Sequence, residues 1–209
     1  NFVIDPINPQ VLYYPTGNFY KSVNRGDTWT IISALPNVAS WMAIKPNNNQ
    51  IIYVGTLGGH LYKSVNGGVT WVEIWIDSFN RYISYIATSV TEPNSIYITV
   101  SNYGVGQHVY FSADAGSTWK NITGDLPDFV TNAICYNKNV TYLGTEFGLF
   151  YSTNGGINWK LDFNLPNAIV NDIGVTVDSN LVVSTYGRGI FKAQLSNSSP
   201  PIDTIPVPP

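Results

Sequence analysis

Apolar and aromatic residues in this chain come in short runs, each closed by Gly, Asn, Asp or Pro, and the runs recur in one order. The first run of each cycle lies at Phe2 to Ile4, Trp41 to Ile44, Ile83 to Ile86, Ala133 to Cys135 and Ile173 to Val175. A second follows at Tyr13-Tyr14, Tyr53-Val54, Thr99-Val100, Tyr142-Leu143 and Val182-Val183, each leading into a Gly-bearing turn. The third is aromatic-rich: Phe19-Tyr20, Leu61-Tyr62, Val109 to Phe111, Leu149 to Tyr151 and Ile190-Phe191. Short runs of β-branched and aromatic residues between turn formers are predicted strands.

After the third run comes a motif, Ser-x-Asp/Asn-x-Gly-x-x-Trp, which the chain repeats. Its copies are Ser22, Asn24, Gly26 and Trp29; Ser64, Asn66, Gly68 and Trp71; Ser112, Asp114, Gly116 and Trp119; and Ser152, Asn154, Gly156 and Trp159. A further short apolar run follows the box, as at Thr30 to Ile32 and Val72 to Ile74. The Asp or Asn oxygen suits backbone N–H groups a few residues on, the Ser hydroxyl does the same more weakly, and Gly takes a positive φ at little cost. The Trp is expected to bury its ring beside its own hairpin. Asn in place of Asp in most copies keeps the acceptor and drops the charge, which favours a structural role over metal binding.

Four antiparallel strands per period of about 40 residues is the pattern of a β-propeller blade. The fifth cycle has three runs and no box. The predicted fold is therefore all-β, a β-propeller of four-stranded antiparallel blades, four complete and one three-stranded, over residues 1–195. Because the fifth blade lacks an outer strand, we expect part of a larger propeller, with a five-bladed ring as the alternative. Residues 196–209, rich in Pro and Ser, read as a linker or tail, and dense prolines are expected to keep it from supplying the missing strand.

Composition narrows the function. Charged residues make up 11% of the chain and aromatics 14%, against roughly 25% charged in an average protein. With a net charge of −3 and Arg only at Arg25, Arg81 and Arg188, nothing could neutralise a run of phosphates, so no nucleic-acid partner is expected. No apolar run is long enough for a helix to span a bilayer, and no membrane insertion is expected. Cys135, alone in an apolar strand, reads as a small buried hydrophobe. No cofactor is expected.

The four boxes resemble the Asp-box, or bacterial neuraminidase repeat. The stretch Tyr142 to Ser152, with Thr185-Tyr186-Gly187-Arg188-Gly189-Ile190-Phe191, resembles the C-terminal blades of secreted sortilin-like, sialidase-like and xyloglucanase-like bacterial propellers. The resemblance covers residues 1 to about 195 and implies a fold more than a chemistry, since such boxes occur on hydrolases, sorting receptors, assembly factors and adhesins. In the family the boxes are structural and lie away from the ligand face. Those families also imply what a catalytic chain would need. A sialidase needs an arginine cluster and a Tyr–Glu pair, and these three arginines do not make one. A xyloglucanase needs two facing carboxylates, one of them proton-donating, and the supply is thin: Asp77, Asp125, Asp128, Glu146 and Asp172. His60 and His108 have no third ligand recurring with them, so no metal site is expected. No catalytic residue is assigned.

Exposed aromatic loops are the better lead. Trp75, Phe79, Arg81 and Tyr82 fall in the longest inter-blade connection, Tyr103 in the longest turn, Glu146 and Phe147 in the next, and Tyr186 and Arg188 in the last. Aromatic rings with a few polar neighbours suit sugar stacking or a protein partner. The expected function is a non-catalytic extracellular or cell-surface propeller, a structural or binding module for carbohydrate or protein. The alternative is a fragment of a glycoside hydrolase whose catalytic residues lie partly outside this chain. The expected partners are a protein or the remainder of the propeller, and a polysaccharide or glycan. Asp203-Thr204-Ile205 resembles the O-glycosylation site of proteins exported by type IX secretion, making Thr204 the candidate acceptor on an exposed linker.

Overall fold

A computed structural model describes residues 2–89, 91–176, 178–195 and 205–206. The described residues contain strands and turns and no helix. The chain divides into two compact units, residues 1–100 with 111–120, and residues 101–110 with 121–209.

Five antiparallel sheets follow the predicted cycles. The first is β1 (Val3–Ile4), β2 (Leu12–Pro15), β3 (Asn18–Ser22) and β4 (Thr30–Ala34), paired in chain order. The second is β5 (Ala39–Ile44), β6 (Ile52–Thr56), β7 (His60–Ser64) and β8 (Val72–Ile76). The third is β9 (Ile83–Thr88), β10 (Ile96–Val100), β11 (Val109–Ser112) and β12 (Lys120–Asn121). The fourth is β13 (Thr131–Asn137), β14 (Val140–Thr145), β15 (Leu149–Ser152) and β16 (Lys160–Leu161).

The fifth sheet has three full strands, β17 (Val170–Val175), β18 (Asn180–Thr185) and β19 (Gly189–Gln194). A two-residue strand, β20 (Ile205–Pro206), pairs with it through Phe191↔Pro206 and Lys192↔Ile205. This corrects the expectation that the Pro-rich tail adds no strand. Proline is tolerated at a sheet edge, where its missing N–H removes no ladder bond. Otherwise the expected linker, Thr204 included, lies outside the described residues.

Sheets pack face to face through their inner strands. In the first unit Tyr13 and Phe19 of the first sheet share a core with Met42, Ile44, Ile52 and Val54 of the second. Small residues allow the approach: a Cβ on Gly55 would lie 2.7 Å from Ile83. In the second unit a Cβ on Gly144 would lie 2.5 Å from Val170. Cys135 is half-buried in the fourth sheet, and desolvation of its thiol, with Asp172 nearby, pushes its pKa up to about 12.

The boxes fold as their sequence dictates and then do more. In each, the Ser hydroxyl donates to the Asn or Asp side chain and accepts from the Gly N–H, at 2.8 Å in the first copy. The Asn or Asp oxygen also accepts the N–H four residues on, from Thr28, Thr70, Thr118 and Asn158. Asp114, the one charged copy, is held at about 2 by the Thr118 hydroxyl and N–H and the Ser112 hydroxyl. The residue before the box Gly is also left-handed: Arg25, Gly67, Ala115 and Gly155 have φ of 58°, 68°, 59° and 69°. Ala115 bears steric strain there that Gly67 and Gly155 do not. Ala115→Gly is expected to stabilise the fold by about 0.5–1 kcal/mol, the strain relieved less the added freedom of the unfolded chain. Urea unfolding measures it, and an unchanged or lower midpoint would contradict this reading of the box.

The box Trp side chains depart from expectation. Trp71, Trp119 and Trp159 reach beyond their own hairpins. Trp71 donates its indole N–H to Ser33 Oγ at 3.0 Å and meets the Phe19 ring edge-on at 5.1 Å. Trp119 shares its indole N–H between the Gly116 carbonyl of its own box, at 3.1 Å, and the Ile74 carbonyl of the preceding sheet, at 3.3 Å, and Trp159 donates to the Ile122 carbonyl at 3.1 Å. Trp159 is buried, whereas Trp71 and Trp119 are half-buried. Trp29 is exposed and meets only Tyr14 of its own sheet among the ring contacts described. Burial of this side chain comes from the neighbouring sheet, and the first box has none behind it in the unit that holds it.

Candidate functional site

In the first unit the connection after β8 is built on a buried ion pair. Arg81 donates Nη2 to Asp77 Oδ1 at 2.8 Å, and its Nε and backbone N–H to Oδ2 at 3.1 and 2.8 Å. Both side chains are almost wholly buried. Burial pushes the Asp77 carboxyl up. The Arg81 hydrogen bonds and charge, with the Phe79 N–H, more than offset this and hold it below the usual carboxylate range. A Cβ on Gly59 would lie 2.7 Å from the Arg81 carbonyl, so the turn before β7 needs a glycine against this loop. The guanidinium also sits 5.4 Å from the centre of the exposed Phe79 ring. Arg81 therefore fixes the loop rather than facing a ligand. Trp75 lies within β8, half-buried and 6.1 Å from Trp119, while Phe79 and Tyr82 stay exposed. His60, at the start of β7, pairs its Nδ1 with Glu73 Oε2 at 2.7 Å and stacks on Tyr62.

The second unit brings together residues that lie far apart in sequence. Three segments meet: the turn of residues 101–108, the connection of residues 122–130, and the Glu146-Phe147 turn between β14 and β15. Asp128 Oδ2 accepts the Gly104 N–H and its Oδ1 lies 2.7 Å from His108 Nε2. His108 is fully buried, and its backbone N–H donates to Thr123 Oγ1. The Gly104 N–H is the main cause holding Asp128 below the ordinary carboxylate range, with His108 adding to it. Tyr103 donates its hydroxyl to Glu146 Oε2, which raises the Tyr103 pKa. The other Glu146 oxygen accepts the Val130 N–H. Phe147 packs on Phe129 with ring centres 4.3 Å apart, and Phe129 in turn meets Phe150. Tyr103 and Phe147 nevertheless remain 54% and 53% exposed. The result is two open rings held from behind by two carboxylates and a buried histidine.

Sequence reasoning named Tyr103, Glu146 and Phe147 as candidates, but counted Asp128 only among scattered carboxylates and His108 only as a histidine without a third ligand. Their meeting depends on a contact across twenty positions that no local pattern announces. Tyr186 and Arg188 are exposed at the β18–β19 turn. Asp125 is taken up by the last box, accepting from the Trp159 N–H and the Asn158 amide. Asp172 lies in β17. Asp162, buried, has its carboxyl pushed up by burial against the opposing Asn164 N–H. No group of three metal-ligating side chains occurs among the described residues.

Boxes, blades and turns together define an Asp-box β-propeller chain. The BNR/Asp-box repeat family matches residues 150–161, the last box. Over 88% of its length the chain is 29% identical to the xyloglucanase Xgh74A of Acetivibrio thermocellus and spans 22% of that protein. It is 35% identical, over 37% of its length, to the vacuolar protein sorting/targeting protein 10 of Schizosaccharomyces pombe, of which it spans 5%. Among solved structures it superposes on an ancestral GH74 enzyme with a TM-score of 0.74 and 25% identity, covering 95% of this chain and 30% of that one. The chain thus spans about a fifth of the curated xyloglucanase it resembles.

Proposed function

We propose that this chain is a non-catalytic binding module that holds a carbohydrate chain against the Tyr103–Phe147 surface. The observation that carries this is the pair of exposed rings fixed in place by Glu146 and Phe129. Rings already ordered lose little entropy when a sugar stacks on them. Asp128 and Glu146 offer acceptor oxygens beside the rings for hydroxyl groups. The same geometry argues against hydrolysis. A glycosidase needs an accessible acid with a raised pKa, whereas Asp128 is held ionised and the raised Asp162 lies buried. Similarity to a xyloglucanase makes a xyloglucan oligosaccharide the first ligand to try. Tyr103→Ala or Phe147→Ala is expected to weaken its binding about tenfold by titration calorimetry, with the fold intact. Unchanged affinity in both variants would sink the proposal.

The hydrolase-fragment reading is favoured by one fact, the 29% identity to Xgh74A along most of the chain. On that reading these blades complete a larger ring, and turnover needs blades beyond this chain. An extracellular location belongs to the proposal too, supported by the low charge and the abundance of Tyr and Asn. So does a linker over residues 196–209 with Thr204 glycosylated. Mass spectrometry of native material is expected to show added hexose mass on the tail peptide, and a bare peptide would remove the glycan claim.

A further inference from the structure

The turn that carries Tyr103 has little of its own to hold it in place. It spans residues 101–108 between β10 and β11, and Asn102, Tyr103, Gly104, Gly106 and Gln107 are exposed. Gly104 and Gly106 are left-handed, with φ of 99° and 61°, and a Cβ on either would meet open space. Glycine loses more conformational freedom on ordering than any other residue. A turn with two such glycines, and nothing packed over either, keeps one shape only if a group outside it fixes that shape.

Asp128 is that group, reaching in from the connection of residues 122–130. Its Oδ2 accepts the Gly104 N–H at 2.7 Å, and its Oδ1 lies 2.7 Å from Nε2 of His108, the buried end of the turn. The Gly104 N–H foremost, with His108 and the Gly106 N–H, holds this carboxyl below its usual range against desolvation. Residues 104, 106 and 108 thus close on one carboxylate. Backbone N–H groups that converge from a turn form an anion-binding concavity, and here the anion is a side chain of the same chain.

The consequence falls on the Tyr103 ring. Its tip is held where the hydroxyl donates to Glu146, itself fixed by the Val130 N–H. Its root is held through the next residue, Gly104, by Asp128. A ring tethered only at its tip can swing, whereas one tethered at both ends presents one face. We infer that Asp128 is a positioning residue of the sugar site: seated in the turn of residues 101–108, its carboxylate orders the Tyr103 ring and so raises affinity for the sugar. This rests on the carbohydrate reading of the site. It is separate from any hydroxyl that Asp128 accepts from the sugar, because it acts through the ring. Order already present in the free protein is not subtracted from the binding free energy.

Asp128→Ala in the full 209-residue chain tests this by two readouts. In the ligand-free protein, NMR is expected to show the Gly104 amide proton moved upfield and the amides of residues 102–107 less ordered than in the wild type. Titration calorimetry with a xyloglucan oligosaccharide is expected to show affinity about fivefold lower. In the Tyr103→Ala background most of that loss should vanish. Gly104→Ala is the second variant, since it leaves the Asp128–His108 pair in place and strains only the backbone at φ +99°. It should lower affinity in the same way, and it decides the matter if circular dichroism shows Asp128→Ala unfolded. A turn as ordered in Asp128→Ala as in the wild type, a loss fully additive with Tyr103→Ala, or unchanged affinity in Gly104→Ala would each overturn the inference. A wild type that binds no oligosaccharide would sink the carbohydrate reading instead, and the ligand-free amides would then decide alone whether Asp128 orders the turn that carries Tyr103.

Discussion

Asp77→Ala should cost about 3–5 kcal/mol of folding stability, because it strands a buried guanidinium. Arg81 is 4% exposed and places three hydrogen bonds on that carboxylate. Removing one partner leaves a charge without its counter-charge in a medium that solvates it poorly. Asp77→Asn keeps acceptor oxygen but loses the charge and should fall between the wild type and Asp77→Ala. The pair also sets an acid limit. Because the folded pKa of Asp77 lies below its ordinary value, its stabilisation is fully present above the unfolded pKa of about 3.9. It is lost as pH falls through the lower folded value. Urea unfolding at neutral and acid pH measures both effects: the penalty of Asp77→Ala should shrink toward low pH. A penalty independent of pH would assign the effect to packing instead.

Phe19→Ala should be comparably severe, about 3–5 kcal/mol. The ring is wholly buried, stacked near Tyr13 at 5.5 Å and meeting Trp71 edge-on at 5.1 Å. It also lies where a Cβ on Gly68 would come within 2.1 Å. Gly68→Ala alone is therefore expected to destabilise strongly. In the Phe19→Ala background the steric part of that penalty should vanish, leaving the cost of φ +90°. A double-mutant cycle by thermal unfolding reads the difference. Additive penalties would show that box and preceding sheet are not in contact.

The strands and boxes were legible because their information is local. Run length, turn residues and box spacing suffice to place Ser22, Asn24 and Gly26 in one hydrogen-bonded turn. The direction of the box Trp was not legible, since Trp71, Trp119 and Trp159 each place the indole N–H on a group distant in sequence, Ser33, Ile74 or Ile122, with Trp119 also bonding Gly116 of its own box. The same limit applied to the loops. Asp77 and Arg81, four residues apart, could have been paired from sequence as opposite charges within one connection. Asp128 and His108 meet only because a turn and an inter-blade connection fold onto each other. Tyr103 and Phe147 were found from residue type alone, yet what orders them, Glu146 and Phe129, needed the structure.

The most direct test of the central claim is one-tube proton NMR of the purified chain with a xyloglucan oligosaccharide. Bound sugar shows as broadened ligand lines, and cleaved sugar as new reducing-end anomeric signals. The account expects broadening with the wild type, its loss with Tyr103→Ala/Phe147→Ala, and no new anomeric signals over days. New anomeric signals from the wild type, or ligand lines that never broaden, would contradict it.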